Sequence, residues 1–352
     1  MAVIYIGGAG GAPSNNFIRS LRDSSRNDFL IGASCVASDL FLADTDKKHL
    51  VPRADALDYP EKLLNLLKKI KPDLLHVQND LEVLAVSRLR DQIRDLGVRI
   101  YMPDQEAVEI CADKGRSAEI WEKSGVKIPR TIRLNSPHDL KKAFERLGSK
   151  IWIRATTGAA GRGALPTKSY AFSKTWIDHF NGWEKFLAAE LLTSKTITWL
   201  SIWYQGELVV AQTRRRHSWC FGDRALSGVT GITGVAETCS DEIVDKIAQD
   251  AIFSITSFPN GIFGVDMTYD HEGWPNVTEI NIGRFFTTHY FFTKAGLNMP
   301  EIYCDIALEG KFPSLKKRIN PLPDGMVWIR GMDTEPVLTT IKELEKMGDQ
   351  HL

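Results

Sequence analysis

Strands and helices alternate through the first hundred residues of the chain. Apolar runs at 2–6, 29–36, 74–77 and 98–102 predict short buried strands. The stretches between them carry apolar residues at helical spacing and begin or end at glycine, proline or polar residues. Strict alternation is typical of a parallel sheet with helices on both faces. Residues 1–104 are therefore predicted to form a doubly wound α/β domain.

The pattern changes after residue 104. Two stretches at helical spacing, 114–123 and 137–147, are followed by apolar strands and by two glycine-rich segments, 156–163 and 228–234. This mixture is typical of an α+β arrangement rather than of a second doubly wound sheet. We therefore expect an α/β domain, an α+β region and a proline-containing tail that wraps over the rest.

Charge and cysteine content exclude several classes of protein. Lys plus Arg and Asp plus Glu each number 44, so the chain has no electrostatic footprint for nucleic acid or for an acidic membrane. No run of about 18 apolar residues is present to span a bilayer. The five cysteines are scattered and contain no CxxC pair, which favours reduced thiols over disulfides or a zinc site. We expect a soluble, cytoplasmic protein with neither nucleic-acid nor membrane partners.

Two apolar strands flank a polar turn near residue 271. Placing the turn at His271 and Glu272 puts Asp266 opposite Val277 and diagonally next to Glu279. The other face of this hairpin is the predicted core side, and it carries Phe263, Val265, Met267, Ile280 and Ile282.

The polar face of the hairpin predicts a metal site. Asp266, Glu279 and Asn281 share this face, because Glu279 and Asn281 are two residues apart on one strand. Two carboxylates and an amide are hard oxygen ligands, suited to Mg²⁺ that keeps waters and phosphate oxygens in its shell. The alternative is an ordinary hairpin whose polar face is simply solvated.

The glycine-rich segment 156–163 follows an apolar strand that ends at Arg154. Its backbone N–H groups can close around phosphate oxygens, because few Cβ atoms block the approach. Arg154 and Arg162 add cations for charge-assisted contacts. The segment lacks the Lys-Ser/Thr pair of a Walker P-loop. It is either a phosphate-covering loop or a flexible turn.

Two further pieces are ordinary when each is taken alone. Asp113 and Lys114 open a predicted helix, and the apolar strand 186–192 carries a single acid, Glu190. In chain order, however, these two pieces, the glycine-rich loop and the hairpin together resemble the ATP-grasp superfamily. The first hundred residues resemble its pre-ATP-grasp domain.

The resemblance runs from Ala2 to about Pro313 and implies a palmate fold of two lobes after the first domain. The implied division is 1–104 for the pre-ATP-grasp domain, 105–185 for the first ATP-grasp lobe, 186–320 for the second lobe with the metal site, and 321–352 for the tail.

The resemblance also implies roles for individual residues. Lys114 would reach the nucleotide phosphates, Arg154 the α-phosphate and the adenine edge, and Glu190 the adenine amino group. Asp266, Glu279 and Asn281 would hold Mg²⁺, or Mn²⁺ in its place. The implied ATP-binding positions are Lys114, Arg154, Thr156, Thr157, Gly158, Gly161, Arg162, Gly163, Glu190, Leu191 and Leu192.

The chain departs from the family pattern at two points. The stretch 194–198 has no acid where many members bind the ribose hydroxyls. Many members read Glu-x-Asn-Pro-Arg, whereas here Arg284 comes one residue later, after Glu279 and Asn281. Arg284 remains a candidate for contact with the transferred phosphoryl group.

Three consecutive arginines mark the predicted acceptor site. In a strand, Arg214 and Arg216 point to one face and Arg215 to the other. Arg214 and Arg216 could clamp a carboxylate or an acylphosphate; the alternative is a solvated edge strand. Together with the segment 227–231, this run resembles the carbamoyl-phosphate-synthetase-like branch, which includes many carboxylate–amine ligases.

The resemblance implies an ATP-dependent ligase that forms an acylphosphate and joins it to an amine or to ammonia. Its cofactors would be ATP and Mg²⁺, its partners small carboxylates and amines, with a homodimer left open. Two alternatives remain. One is a catalytically silent nucleotide-binding protein. The other is an NAD-dependent oxidoreductase, because 8–13 opens like a dinucleotide fingerprint with Asp39 after the second strand, although Pro13 replaces the third glycine.

Overall fold

The computed structural model describes residues 1–158, 161, 163–331 and 346–348. The first hundred residues form a parallel sheet in the order β3-β2-β1-β4-β5, so the doubly wound prediction is confirmed. Its strands are β1 (Val3–Ile6), β2 (Phe29–Ser34), β3 (Lys47–Leu50), β4 (Leu74–His76) and β5 (Arg99–Ile100). Its helices are α1 (Ala12–Arg22), α2 (Ala37–Leu42), α3 (Tyr59–Ile70), α4 (Asp80–Arg88) and α5 (Arg90–Asp95).

The next part of the chain forms a four-stranded antiparallel sheet in the order β6-β9-β7-β8. Its strands are β6 (Thr131–Leu134), β7 (Ile151–Ala155), β8 (Leu165–Thr167) and β9 (Phe186–Glu190). The accompanying helices are α6 (Gln105–Ala112), α7 (Lys114–Lys123), α8 (Pro137–Leu147) and α9 (Tyr170–His179). The implied division assigns residues from 186 onward to the second lobe. Strand β9 begins at Phe186 and pairs with β6 and β7 of this sheet, where its apolar side chains complete the small core.

A six-stranded antiparallel sheet completes the structure, in the order β14-β13-β10-β11-β12-β15. Its strands are β10 (Thr196–Tyr204), β11 (Glu207–Trp219), β12 (Thr233–Thr238), β13 (Gly261–Tyr269), β14 (Pro275–Ile282) and β15 (Val327–Ile329). The remaining helices are α10 (Glu242–Ile255), α11 (Tyr290–Lys294) and α12 (Met299–Glu309), and a single 3₁₀ turn covers Gly222–Arg224. Among the described residues, no helix is long and apolar enough to cross a membrane.

Two helices that follow β14 return to the first domain. Helices α11 and α12 pack against α1, and Phe17 of α1 contacts Phe285 and Tyr303 in one core cluster. The Tyr303 hydroxyl donates to the carbonyl of Tyr101 at 2.7 Å, and the Tyr101 hydroxyl donates to the carbonyl of Trp203 on β10. The parallel domain and the six-stranded sheet therefore share a continuous buried interface.

The register of the β13–β14 hairpin differs from the predicted one. Asp266 lies directly opposite Glu279, so its predicted placement opposite Val277 is wrong. The turn is also longer than predicted, because Asp270 Oδ1 accepts a hydrogen bond from the amide of Trp274 at 2.8 Å and closes a five-residue loop. The predicted core side is confirmed, since Phe263, Val265, Met267, Ile280 and Ile282 are all buried.

A β-bulge at Thr278 decides which face Glu279 occupies. Met267 lies opposite Val277 while Asp266 lies opposite Glu279, which leaves Thr278 as the extra residue. An added residue reverses the alternation of side chains beyond it. Without the bulge, Glu279 would point toward the core; with it, Glu279 lies beside Asp266 on the polar face.

Candidate active site

A row of polar side chains crosses one face of the six-stranded sheet. Glu279, Asp266, Thr198 and Arg214 are successive cross-strand partners on β14, β13, β10 and β11. Directly opposed residues point to the same side of a sheet, so these four side chains share a face. The Thr198 hydroxyl donates to Asp266 Oδ1. The row thus places two carboxylates and a guanidinium on one surface.

The three predicted metal ligands come together at the end of this row. Asn281 Nδ2 donates to Asp266 Oδ2 at 2.9 Å, and Glu279 lies opposite Asp266. Within the described ranges, no three His, Cys, Asp or Glu side chains cluster to hold a metal. Two carboxylates and an amide oxygen fit Mg²⁺ that takes its remaining ligands from water or phosphate. These residues therefore suit a nucleotide-bound cation rather than a fully protein-caged one.

Lys114 joins this metal face to the glycine-rich loop. It begins α7, whose first turn is capped by Asp113 accepting from the amide of Gly115 at 2.7 Å. Lys114 Nζ donates to the carbonyl of Gly158 at 2.8 Å and lies 3.4 Å from Glu279 Oε2. The cation is therefore held where it can contact both the loop and a phosphate near Glu279.

Arg154 bridges the two antiparallel sheets. It lies next to the end of β7, and its Nη2 donates to the carbonyl of Thr278, the bulge residue, at 2.8 Å. Burial lowers the pKa of Arg154, and the negative charge of Glu279 opposes that shift. This contact ties the four-stranded sheet to the metal face.

The glycine-rich loop needs glycine at its turns. Gly158, Gly161 and Gly163 have φ values of +98°, +70° and +75°, which favour residues without a Cβ. A Cβ on Gly161 would lie 2.8 Å from the carbonyl oxygen of Val229. The two glycine-rich segments of the chain therefore meet at Gly161 and Val229, in the loop that Thr156 and Thr157 begin. Arg162 lies outside the described residues.

Glu190, the predicted adenine-hinge acid, is held by Arg130. Its Oε1 accepts from the Arg130 amide and its Oε2 from Arg130 Nε, both at 2.8 Å. Leu191 and Leu192 follow it directly at the end of β9. Sequence reasoning missed Arg130, because the pairing of β6 with β9, which sets Arg130 beside Glu190, has no local signal. The contacts of Glu190, Leu191 and Leu192 with adenine remain a prediction.

Arg284 is positioned by a residue of the first domain. Its Nε forms an ion pair with Asp80, and its Nη2 donates to Asn281 Oδ1 at 2.6 Å. Burial raises the pKa of Asp80, but the charge of Arg284 outweighs this and holds it below its usual value. Gln78 Oε1 accepts from the amide of Phe285 at 2.9 Å. Sequence reasoning missed Asp80 and Gln78, although polar residues after a buried parallel strand were an available signal.

The arginine run alternates as the sequence predicts. Arg215 points away from the site and lies 3.6 Å from Glu237, whereas Arg214 and Arg216 share the polar face. Arg216 Nη1 donates to Thr196 at 2.8 Å, and its guanidinium lies 3.8 Å from Asp266 Oδ1. Burial, followed by the charge of Arg216, lowers the pKa of Arg214 to about 9.

The N-terminal glycines pack against a buried acid. A Cβ on Gly7 would lie 2.6 Å from Glu82 Oε2, and Asn79 donates to the same carboxylate. Burial raises the pKa of Glu82 to about 7. The dinucleotide-like loop thus faces a carboxyl group of the first domain.

No protein-family model matches the chain. Phosphoribosylamine–glycine ligase of Synechocystis sp. (strain ATCC 27184 / PCC 6803 / Kazusa) is 23% identical over 171 residues, 47% of this chain and 40% of that protein. The same enzyme of Streptomyces coelicolor is 23% identical over 202 residues, 57% of this chain and 45% of that protein. Phosphoadenosine 5'-phosphosulfate reductase of Serratia proteamaculans is 23% identical over 166 residues, 44% of this chain and 66% of that protein. The chain thus spans less than half the length of these two ligases.

Solved structures match nearly the whole chain. Carboxyaminoimidazole ribonucleotide synthase of Aspergillus clavatus, complexed with ATP, has a TM-score of 0.68 at 16% identity, over 91% of this chain and 79% of that one. The biotin carboxylase domain of Hydrogenobacter thermophilus 2-oxoglutarate carboxylase, with MgADP and bicarbonate, has 0.70 at 13%, over 93% and 73%. L-amino acid ligase of Bacillus licheniformis has 0.67 at 11%, over 88% and 74%. With its doubly wound domain, its two antiparallel sheets and this likeness over about nine-tenths of its length, the chain has the ATP-grasp fold.

Proposed function

We propose that this chain is an ATP- and Mg²⁺-dependent carboxylate–amine ligase. The observation that carries the proposal is the polar face of the six-stranded sheet. This face brings together the predicted metal ligands Asp266, Glu279 and Asn281. Lys114 Nζ lies 3.4 Å from Glu279, and Arg284 Nη2 lies 2.6 Å from Asn281. This arrangement suits a nucleoside triphosphate with its metal ion, because the carboxylates attract the ion and the Lys and Arg side chains attract the phosphates.

ATP would lie between the two antiparallel sheets. Lys114 and the glycine-rich loop 156–163 would contact the phosphates, and Arg154 the α-phosphate. Glu190 and the backbone after it would contact adenine. When bound by Asp266, Glu279 and Asn281, Mg²⁺ would neutralise charge on the β- and γ-phosphate oxygens.

The proposed reaction has two steps. In the first, an oxygen of the substrate carboxylate attacks the γ-phosphorus, the bond to the β–γ bridging oxygen breaks, and ADP leaves. In the second, an amine or ammonia nitrogen attacks the acyl carbon, inorganic phosphate leaves, and the nitrogen loses a proton. Arg284 and Arg216 would orient the reacting oxygens and offset the charge that develops during transfer. No side-chain nucleophile is required.

The relatives support this class of reaction. Two of the similar proteins are ligases by name, phosphoribosylamine–glycine ligase and L-amino acid ligase. Two of the matched structures contain ATP or MgADP. The five cysteines are unpaired, in keeping with a cytoplasmic location. A homodimer is kept in the proposal, since the Hydrogenobacter domain crystallised as a dimer.

The first test is thermal melting with ATP, ADP or NAD⁺, each with and without Mg²⁺. A ligand that binds only the native state raises the melting temperature. A Mg²⁺-dependent rise with ATP and ADP is expected, followed by carboxylate-dependent release of ADP. A rise with nucleotide but no ADP release from any carboxylate and amine pair would favour the silent nucleotide-binding protein. A rise with NAD⁺ alone would overturn the proposal.

A further inference from the structure

Arg214 is a buried cation that forms no ion pair with the described residues, although the more distant charge of Asp266 partly offsets it. Its residue surface is 2% exposed, and among the described residues no acceptor lies within hydrogen-bonding distance of Nε or Nη1. The guanidinium carbon lies 4.7 Å from the ring centroid of Phe286, a contact that offsets part of the charge but satisfies no N–H group. A buried unpaired charge is costly for a folded protein. Such a group is expected where a bound molecule supplies the missing partner.

The neighbouring arginines have other contacts. Arg216 lies 3.8 Å from Asp266, and Arg284 donates to Asn281, so both flank the predicted metal ligands. The reacting carboxylate and the transferred phosphoryl group are placed there by the proposed mechanism. Arg214 lies against an aromatic ring instead and shares neither of these contacts. Its charge is therefore available for a group other than the reacting one.

Other unpartnered donors belong to the same part of the structure. Phe286 lies in the segment 285–288, where Gln78 Oε1 accepts from the amide of Phe285, while Gln78 Nε2 has no acceptor among the described residues. Thr288 Oγ1 is likewise buried and finds no partner in that part of the chain. None of the buried unpartnered atoms in the described ranges is a carboxylate oxygen. A surplus of N–H and O–H groups suits an oxyanion.

We propose that the activated substrate carries a second carboxylate and that Arg214 binds this second group. The inference rests on the proposed ligase function, which places the first carboxylate beside Arg216 and Arg284. Arg214 and Asp266 are two strands apart, so their backbones lie about 10 Å from each other across the sheet. A short dicarboxylate, or an amino acid with an acidic side chain, has the matching chemistry.

The first test compares the ligand-free stability of two variants. Arg214→Met removes the buried charge and keeps an apolar chain against Phe286, so the melting temperature is expected to rise above that of the wild type. Arg215→Met is the matched control on the opposite face of β11, where an exposed contact with Glu237 is lost; no rise is expected. A lower melting temperature for Arg214→Met would show a structural cation and overturn the proposal.

The second test measures binding to the MgADP-loaded protein. The probes are α,ω-dicarboxylates of three to six carbons and the monocarboxylates of equal length, at constant ionic strength. At least one dicarboxylate is expected to raise the melting temperature of the wild type and of Arg215→Met more than its monocarboxylate does. Arg214→Met is expected to lose this difference, with an affinity at least about ten-fold lower, as for one hydrogen-bonded ion pair.

Two results would overturn the second-carboxylate site. One is a wild type stabilised no more by dicarboxylates than by monocarboxylates. The other is an Arg214→Met variant that keeps the difference. The shift caused by MgADP alone is recorded in the same series and should persist in Arg214→Met. Its absence in the wild type would contradict the nucleotide function itself, whatever the variants show.

Discussion

Glu279 combines contacts that a neutral side chain cannot replace. It lies opposite Asp266 and 3.4 Å from the ammonium of Lys114. Glu279→Gln keeps the size of the side chain but removes the negative charge that would hold Mg²⁺. We expect Mg²⁺-dependent ADP formation to fall at least about 100-fold, with an unchanged circular dichroism spectrum. Glu272→Gln, in the exposed turn of the same hairpin, is the control and should retain activity; equal activity of both variants would contradict the metal assignment.

Glu82 makes the stability of the protein depend on pH. Its pKa is about 7 in the folded chain against 4.5 for the free group, so the folded state retains a proton that the unfolded state has lost. The contribution of Glu82 to the free energy of unfolding should therefore decrease as the pH rises from about 4.5 to about 7, whereas His76 and His289, whose pKa values burial lowers to about 3 and about 4, contribute in the opposite direction. Glu82→Gln should remove this decrease and stabilise the chain at pH 8 by up to about 3 kcal/mol.

Denaturant unfolding between pH 4 and pH 8 would measure the effect of Glu82. Glu61→Gln, an exposed acid in the first turn of α3, is the matched control and should follow the wild-type curve. A stability difference between Glu82→Gln and the wild type that stays constant between pH 4.5 and 7 would show that Glu82 titrates normally.

At the scale of elements, the first turn of α4 acts on a residue more than two hundred positions away. Asp80 pairs with Arg284, which in turn donates to Asn281. Asp80→Asn should leave Arg284 without its counter-ion and displace it, so that kcat falls about ten-fold or more while the melting shift with MgADP stays. Asp91→Asn in the first turn of α5, also an acid at a helix start, is the control. Loss of the MgADP shift in Asp80→Asn would argue for a structural role instead.

The β-bulge at Thr278 shows where local sequence reasoning ends. Alternation predicted correctly that Ile280 and Ile282 are buried, because they are two residues apart on the same side of the bulge. The turn length and the extra residue change the register, and the bulge interrupts the alternation of β14, since Val277 and Ile280 are both buried. Asp266, Glu279 and Asn281 therefore share the predicted face, but with a pairing that differs from the predicted one.

For the whole molecule, helices α11 and α12 connect the part of the chain that follows β14 to the first domain. The Tyr303 hydroxyl donates to the carbonyl of Tyr101 and lies 3.3 Å from His76 Nδ1 in the first domain. Tyr303→Phe should leave two buried groups without a partner and lower the free energy of unfolding by about 1–2 kcal/mol. Tyr170→Phe, whose hydroxyl is at the surface, is the control and should change it little.

The shared interface also predicts a single unfolding transition. Fluorescence of the tryptophans on the six-stranded sheet and far-ultraviolet circular dichroism should report the same midpoint for the wild type and for Tyr303→Phe. Separate midpoints would mean that the first domain unfolds independently and that the Tyr303 contacts do not join it to the sheet.

The sequence by itself determined the order of elements, the doubly wound first domain, the polar face of the hairpin and the alternation of the arginines. These features depend on periodicity and on glycine or polar residues within about ten positions. Only the tertiary structure decided that Arg130 holds Glu190, that Asp80 positions Arg284, and that Nε and Nη1 of the buried Arg214 find no acceptor among the described residues. Arg130 and Glu190 are 60 positions apart in the chain, and Asp80 and Arg284 are 204 positions apart. These contacts therefore depend on how distant strands and sheets pack. Packing between distant segments leaves no periodic signal in a single sequence. For this reason the sequence predicts several charged residues of the site but not which of them contact each other.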